Sequence, residues 1–86
     1  MLIEKGMIVR SIAGRDCGRF FLVLDTDAQF AYLADGRMRL IEKPKKKKVR
    51  HLARTNAKVF AETVTTNRQL RQVLTAYNGA CEENIG

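Results

Sequence analysis

The stretch "FFLVL" at residues 20–24 is apolar at five consecutive positions in a chain of 86 residues. A strand with one face in water alternates apolar and polar side chains, whereas an unbroken apolar run must be covered on both faces. The chain therefore has to supply material for both sides of this strand. Eighty-six residues form one small domain, too short to enclose a large catalytic cleft and a sizeable core together. An apolar run of this kind is the pattern expected of a strand in a small barrel or sheet.

The neighbouring sequence reads as short strands and turns. "MIV" at 7–9 is a β-rich run, closed by the loop "SIAGRDCGR", in which Gly14 and Gly18 permit backbone angles that other residues resist. Asp25, Thr26 and Asp27 supply turn chemistry after 20–24. "FAYLADGRMRLI" at 30–41 predicts a β-hairpin turning at Asp35-Gly36, with Arg37 and Arg39 projecting from one face and Met38 and Leu40 facing the core. "ARTNAK" at 53–58 reads as a polar loop, followed by the β-capable pair Val59-Phe60. Farther on, Thr66 or Asn67 is a candidate N-cap, Leu70, Val73, Leu74 and Tyr77 recur at helical spacing, and Gly79 offers a C-terminal stop. An amphipathic helix over 68–78, packing Leu70, Val73 and Leu74 on the barrel, is expected. The domain plan is a barrel over 1–62, the helical segment over 63–79, and a frayed tail over 80–86.

Charge points to partners. The net charge is +7, from 16 Lys+Arg against 9 Asp+Glu. Residues 37–54 hold nine basic residues against the single Glu42, a local excess of +8, so the rest of the chain sums to −1. Positive charge concentrated in this way is compensated by a polyanion, either nucleic acid or an anionic membrane surface. No apolar run approaches the roughly 20 residues of a membrane span, and "MLIEKGMIV" does not have the form of a signal peptide. Cys17 and Cys81, far apart in sequence, read as free thiols of a reducing cytoplasm.

The densest part of this charge is "EKPKKKKVRHL" at 42–52. It allows three readings: a solvated edge, a localisation tag, or a polyanion-binding surface. Because ordered-looking sequence flanks it, the surface is favoured, although lysine and proline also protect edge strands from pairing with other chains.

Catalytic constellations are weak. His51, the lone histidine, sits inside the cationic run, where neighbouring charge repels a metal ion, and reads as a nucleic-acid contact or a bystander. Asp25, Asp27 and Asp35 lie at turns, where aspartate makes local hydrogen bonds. "GRDCGR" lacks the Lys-Ser/Thr pair of a nucleotide-hydrolysing loop, but it is able to present backbone N–H groups, Arg15 and Arg19 to a phosphate chain. Phe20, Phe21, Phe30 and Tyr32 are assigned mainly to the core, with Tyr32 keeping an exposed edge. A strong phosphate signal beside a weak base-reading signal favours structured RNA held through its backbone. No enzymatic activity and no cofactor or metal is expected.

"GMIVRSIAGRDCGRFFLVL" (6–24) resembles the KOW motif of ribosomal proteins and transcription-elongation factors, Gly14 to Arg19 filling its Gly-basic-x-x-Gly-basic loop. With "YLADGRMRLIEKPKKKKVRHL" added, the chain over roughly 4–56 is similar to small bacterial KOW-domain RNA-binding proteins, themselves similar to an archaeal and eukaryotic large-subunit ribosomal protein family. The resemblance implies an SH3-like barrel; with the helix over 68–78, which lies outside the motif, the expected fold is mostly β, a small barrel of about five strands with a C-terminal helix packed on or beside it. The resemblance also implies binding to ribosomal RNA and no catalysis. The expected partners are RNA, with ribosomal RNA of the large subunit first, and ribosomal proteins; no membrane and no small-molecule substrate are expected. The RNA-contacting candidates are Arg15, Arg19, Arg37, Arg39, Lys43, Lys45, Lys46, Lys47, Lys48, Arg50 and His51. Phe20-Phe21 stands where many KOW motifs have another glycine. A protein-interaction adaptor using the helix face, and a KOW module of a transcription complex, are the alternative functions.

Overall fold

The computed structural model describes residues 3–79. Five strands run in chain order, β1 (Met7–Ser11), β2 (Phe20–Thr26), β3 (Phe30–Ala34), β4 (Lys45–Lys48) and β5 (Leu52–Lys58), and helix α1 (Asn67–Leu74) follows. All pairings are antiparallel, in the order β4-β3-β2-β1-β5. Strands β4 and β5 occupy opposite edges, yet only the 3₁₀ turn Val49–His51 joins them. In a flat sheet these edges would lie about 19 Å apart, whereas a 3₁₀ turn advances about 2 Å per residue. The sheet is therefore strongly curled, and its edges approach without closing. The result is a mostly β domain with a C-terminal helix, consistent with an SH3-like barrel.

Curling gives the sheet an inner and an outer face, and β2 is covered on both, as its apolar run requires. Phe21 and Val23 point inward, among Ile3, Val9, Ala31, Leu33 and Leu52. Leu22 points outward to a second cluster with Ile8, Ala34, Val64, Leu70 and Leu74, joined at its margin by Phe20, Leu24 and Tyr77. Each fully buried Leu, Ile or Val contributes about 1.5–3 kcal/mol relative to exposure, so α1 is the outer half of the core.

Thr66 is the N-cap of α1. Its hydroxyl accepts from the Gln69 amide (3.1 Å) while Gln69 Oε1 accepts from the Thr66 amide (3.2 Å), a reciprocal capping box. Leu70 and Leu74 are buried and Val73 is half-buried, matching the expected packing face. The α-helix is shorter than the expected 68–78, because residues Thr75–Gly79 widen into a π turn. That wider turn accompanies a junction with β2. Asn78 accepts from the Phe20 amide and donates to the Phe20 carbonyl, both at 2.9 Å, and Tyr77 lies 5.3 Å from the Phe20 ring.

Three expectations are corrected. The hairpin over 30–41 does not form: β3 ends at Ala34, and its antiparallel partner is the lysine run itself. Asp35 is the reason. Its Oδ1 accepts from the amides of both Arg37 and Arg39 at 2.9 Å, and the Asp35 and Gly36 amides both donate to the Arg39 carbonyl, so the chain folds back locally instead of entering a ladder. Arg37 and Arg39 consequently sit on an exposed loop, and Met38, expected in the core, is 76 % exposed and Leu40 40 %. Next, "ARTNAK" is not a loop but most of β5, its small residues Ala53, Thr55 and Ala57 alternating with exposed Arg54, Asn56 and Lys58. Val59 and Phe60 lie beyond that strand, with Phe60 79 % exposed. Finally, the turn after β2 comes later than Asp25, which still pairs with Tyr32.

Cys17 is exposed and free. Cys81 and the tail over 80–86 lie outside the described residues. Among the described residues, no helix is long and apolar enough to cross a membrane.

Candidate nucleic-acid interface

Four consecutive lysines in one strand must alternate between its two faces. The register decides which go where. Lys45 and Lys47 lie opposite Leu33 and Ala31, which are inward-facing, while Lys46 and Lys48 lie opposite Tyr32 and Phe30 on the outer face. Two ammonium groups are thus turned toward the apolar interior at the sheet edge.

Asp16, in the β1–β2 loop, receives them. Lys47 Nζ donates to Asp16 Oδ1 and to the Ala13 carbonyl, both at 2.7 Å, and Lys45 Nζ donates to Asp16 Oδ2 at 2.8 Å. The Ser11 hydroxyl adds a third donor to the carboxylate at 2.8 Å. Lys47 is 8 % exposed and Asp16 15 %. Burial by itself would raise the Asp16 carboxyl, but the hydrogen bonds from Lys45, Lys47 and Ser11 outweigh it and hold the group well below the usual carboxylate range. The cluster clamps the β1–β2 loop onto β4. Within that loop the amides of Cys17, Gly18 and Arg19 donate to the carbonyls of Gly14, Ser11 and Asp16, so these three N–H groups are engaged inside the chain.

Around the clamp the structure gathers cations from separate segments. Arg15, Arg19, Arg39 and Lys45 line a groove of about 370 Å³ between the β1–β2 loop and the 35–44 connection, with Phe21 and Met38 as apolar wall. Arg19 Nη2 also meets the buried Asp35 carboxylate at 3.3 Å. Lys43 is exposed just before β4. Along β4, Lys46 and Lys48 stay exposed, Lys46 Nζ standing 4.4 Å over the Phe30 ring. At the far end Lys48 and the exposed Arg50 flank a second opening of about 690 Å³ beside the 3₁₀ turn. From Lys45 to Lys48 the strand advances about 10 Å, so the two openings are ends of one basic edge.

Arg37 and His51 are placed differently. Arg37 lines a small cavity with Arg71, Thr75 and Asn78 on the helix side of the loop. His51 is half-buried in the 3₁₀ turn, where its carbonyl accepts from the Ile12 amide at 3.0 Å. The residue that sequence reading passes over is Asp16. Its signal is an acid inside an otherwise basic loop. Among the described residues, no group of three or more His, Cys, Asp or Glu side chains is arranged to hold a metal ion. Comparison with protein-family models and with curated proteins finds no match for this chain.

Proposed function

We propose that this protein is a non-enzymatic RNA-binding domain of the KOW type, associated with the large ribosomal subunit, that holds RNA through its phosphates. The observation that carries the reading is the continuity of the basic edge. Arg15 and Arg39 line the first groove, β4 presents Lys46 and Lys48, and Arg50 stands at the second opening. Phosphate contacts of this kind set position and orientation without reading sequence, which suits a folded RNA recognised by shape. Lys45 and Lys47 serve the edge indirectly, since their ion pairs with Asp16 hold the loop that carries Arg15.

The absence of catalysis belongs to the same proposal. The carboxylates at the first groove, Asp16 and Asp35, are occupied by lysine ammonium groups, an arginine and backbone amides. The resemblance of residues 4–56 to KOW proteins supplies the ribosomal part of the reading. Co-sedimentation with ribosomal subunits at low and moderately high salt tests it, comparing the natural chain with K46Q/K48Q. Migration with the large subunit, weakened by salt and lost in the variant, is the expected result. A protein found at the top of the gradient in both salts removes the ribosomal assignment and returns attention to a transcription complex or a protein partner.

A further inference from the structure

The second opening lies where the curled sheet fails to close. The 3₁₀ turn is moored on both sides, by the Val49 amide on the Gln29 carbonyl (2.9 Å) and the Ile12 amide on the His51 carbonyl (3.0 Å). Beside it, Ile12, Val49 and Leu52 form an apolar floor, and Gln29, Lys48 and Arg50 stand at the rim. At about 690 Å³ the space falls within the range of small-ligand sites, about 300–1,000 Å³. Among the described residues, none that lines it is acidic. Ile12, 45 % exposed, is the part of this apolar floor left most open to solvent.

We infer that this seam takes one unpaired nucleotide of the bound RNA, its base on the Ile12, Val49 and Leu52 floor and its flanking phosphates on Lys48 and Arg50. The inference rests on the RNA-binding reading and deepens it. A paired base is stacked within its helix and cannot enter, whereas a bulged or looped base can be splayed out. Lys46 and Lys48 stand two residues apart on one face of β4, about 6.6 Å, and lead a phosphate chain toward the opening. Gln29 carries both a donor and an acceptor able to meet the polar edge of a base. An acidic peptide also matches the charge of the rim. The lysine-rich edge beside the opening disfavours strand addition, and a flat ring above apolar side chains uses the floor more fully.

The test uses the full chain and two RNA hairpins, one fully paired and one with a single 2-aminopurine bulge. Binding at least tenfold tighter to the bulged hairpin is expected, with a change in 2-aminopurine emission. In Ile12→Gln, at an exposed position, both the preference and the emission change should vanish while affinity for the paired hairpin stays within about twofold, thermal unfolding confirming that the variant is folded. Equal binding of the two hairpins by the natural chain overturns the inference and leaves RNA binding intact, as does a preference untouched by Ile12→Gln. If neither hairpin binds, the RNA reading fails as well. If an acidic peptide with a central leucine binds, Ile12→Gln abolishes that binding and the hairpins are not distinguished, the seam is a peptide site and the inference is wrong.

Discussion

Replacing Asp16 by Asn keeps the shape of the loop and removes the carboxylate charge that pairs with both Lys45 and Lys47 at the clamp. Lys47 retains the Ala13 carbonyl, but a nearly buried ammonium then lacks a counter-ion. Breaking a fully buried ion pair costs about 3–5 kcal/mol. With Asp16 15 % and Lys45 25 % exposed, partial hydration lowers this to about 2–4 kcal/mol. A domain of this size has a total stability of about 4–13 kcal/mol, so the loss is a large fraction, and Tm should fall by roughly 10–20 °C. Denaturant unfolding followed by circular dichroism measures it. Asp16→Asn combined with Lys47→Met should recover part of the loss, because the stranded charge is then gone. A cost below about 0.5 kcal/mol, the range of ordinary surface substitutions, refutes the clamp. The pH dependence carries the same sign. Because the folded Asp16 carboxyl lies below its unfolded value, its contribution is complete above about pH 4 and is lost as pH falls below that through the folded value. The stability gap between the natural chain and Asp16→Asn should therefore narrow only in acid.

Other substitutions test the packing. Gly36→Ala forces a side chain at φ +79° with its Cβ driven into the Asn67 carbonyl of α1, so a loss above about 2 kcal/mol is expected by denaturant unfolding. Gly18→Ala is the control, since φ is +92° but the space is open, and about 1 kcal/mol of backbone strain is the whole expected effect. Thr66→Ala removes half of the capping box and should cost about 1 kcal/mol. Asn78→Ala leaves the Phe20 amide and carbonyl without their side-chain partner and should cost about 1–3 kcal/mol.

Elements held by apolar periodicity were legible in sequence. The run 20–24 announced a strand covered on both faces, and Leu70, Val73 and Leu74 announced the face of α1. The elements that escaped are those in which tertiary partners override composition. Four lysines have low strand propensity, and β4 forms because β3 pairs with it and Asp16 neutralises its inward side. β5 carries no large apolar side chain after Leu52, and its order comes from pairing with β1. Asp35-Gly36 has the composition of a hairpin turn, but the Asp35 carboxylate captures the Arg37 and Arg39 amides. At the interface, charge density was visible in the sequence. The separation of the lysines into an inner structural pair and an outer exposed pair depends on register, which a uniform KKKK run does not encode.

The most direct measurement is the salt dependence of affinity for a folded ribosomal RNA fragment, compared between the natural chain and K46Q/K48Q. If the outer cations neutralise about five phosphates, log affinity falls with log salt at a slope of about −3.5 to −4.5, and removing two of them brings it to about −2.1 to −2.7. Stability in K46Q/K48Q should stay within about 1 kcal/mol, the loss of the exposed Lys46–Phe30 contact, because neither lysine belongs to the Asp16 clamp. A slope near −1 for the natural chain, or one unchanged by K46Q/K48Q, would contradict phosphate capture along this edge.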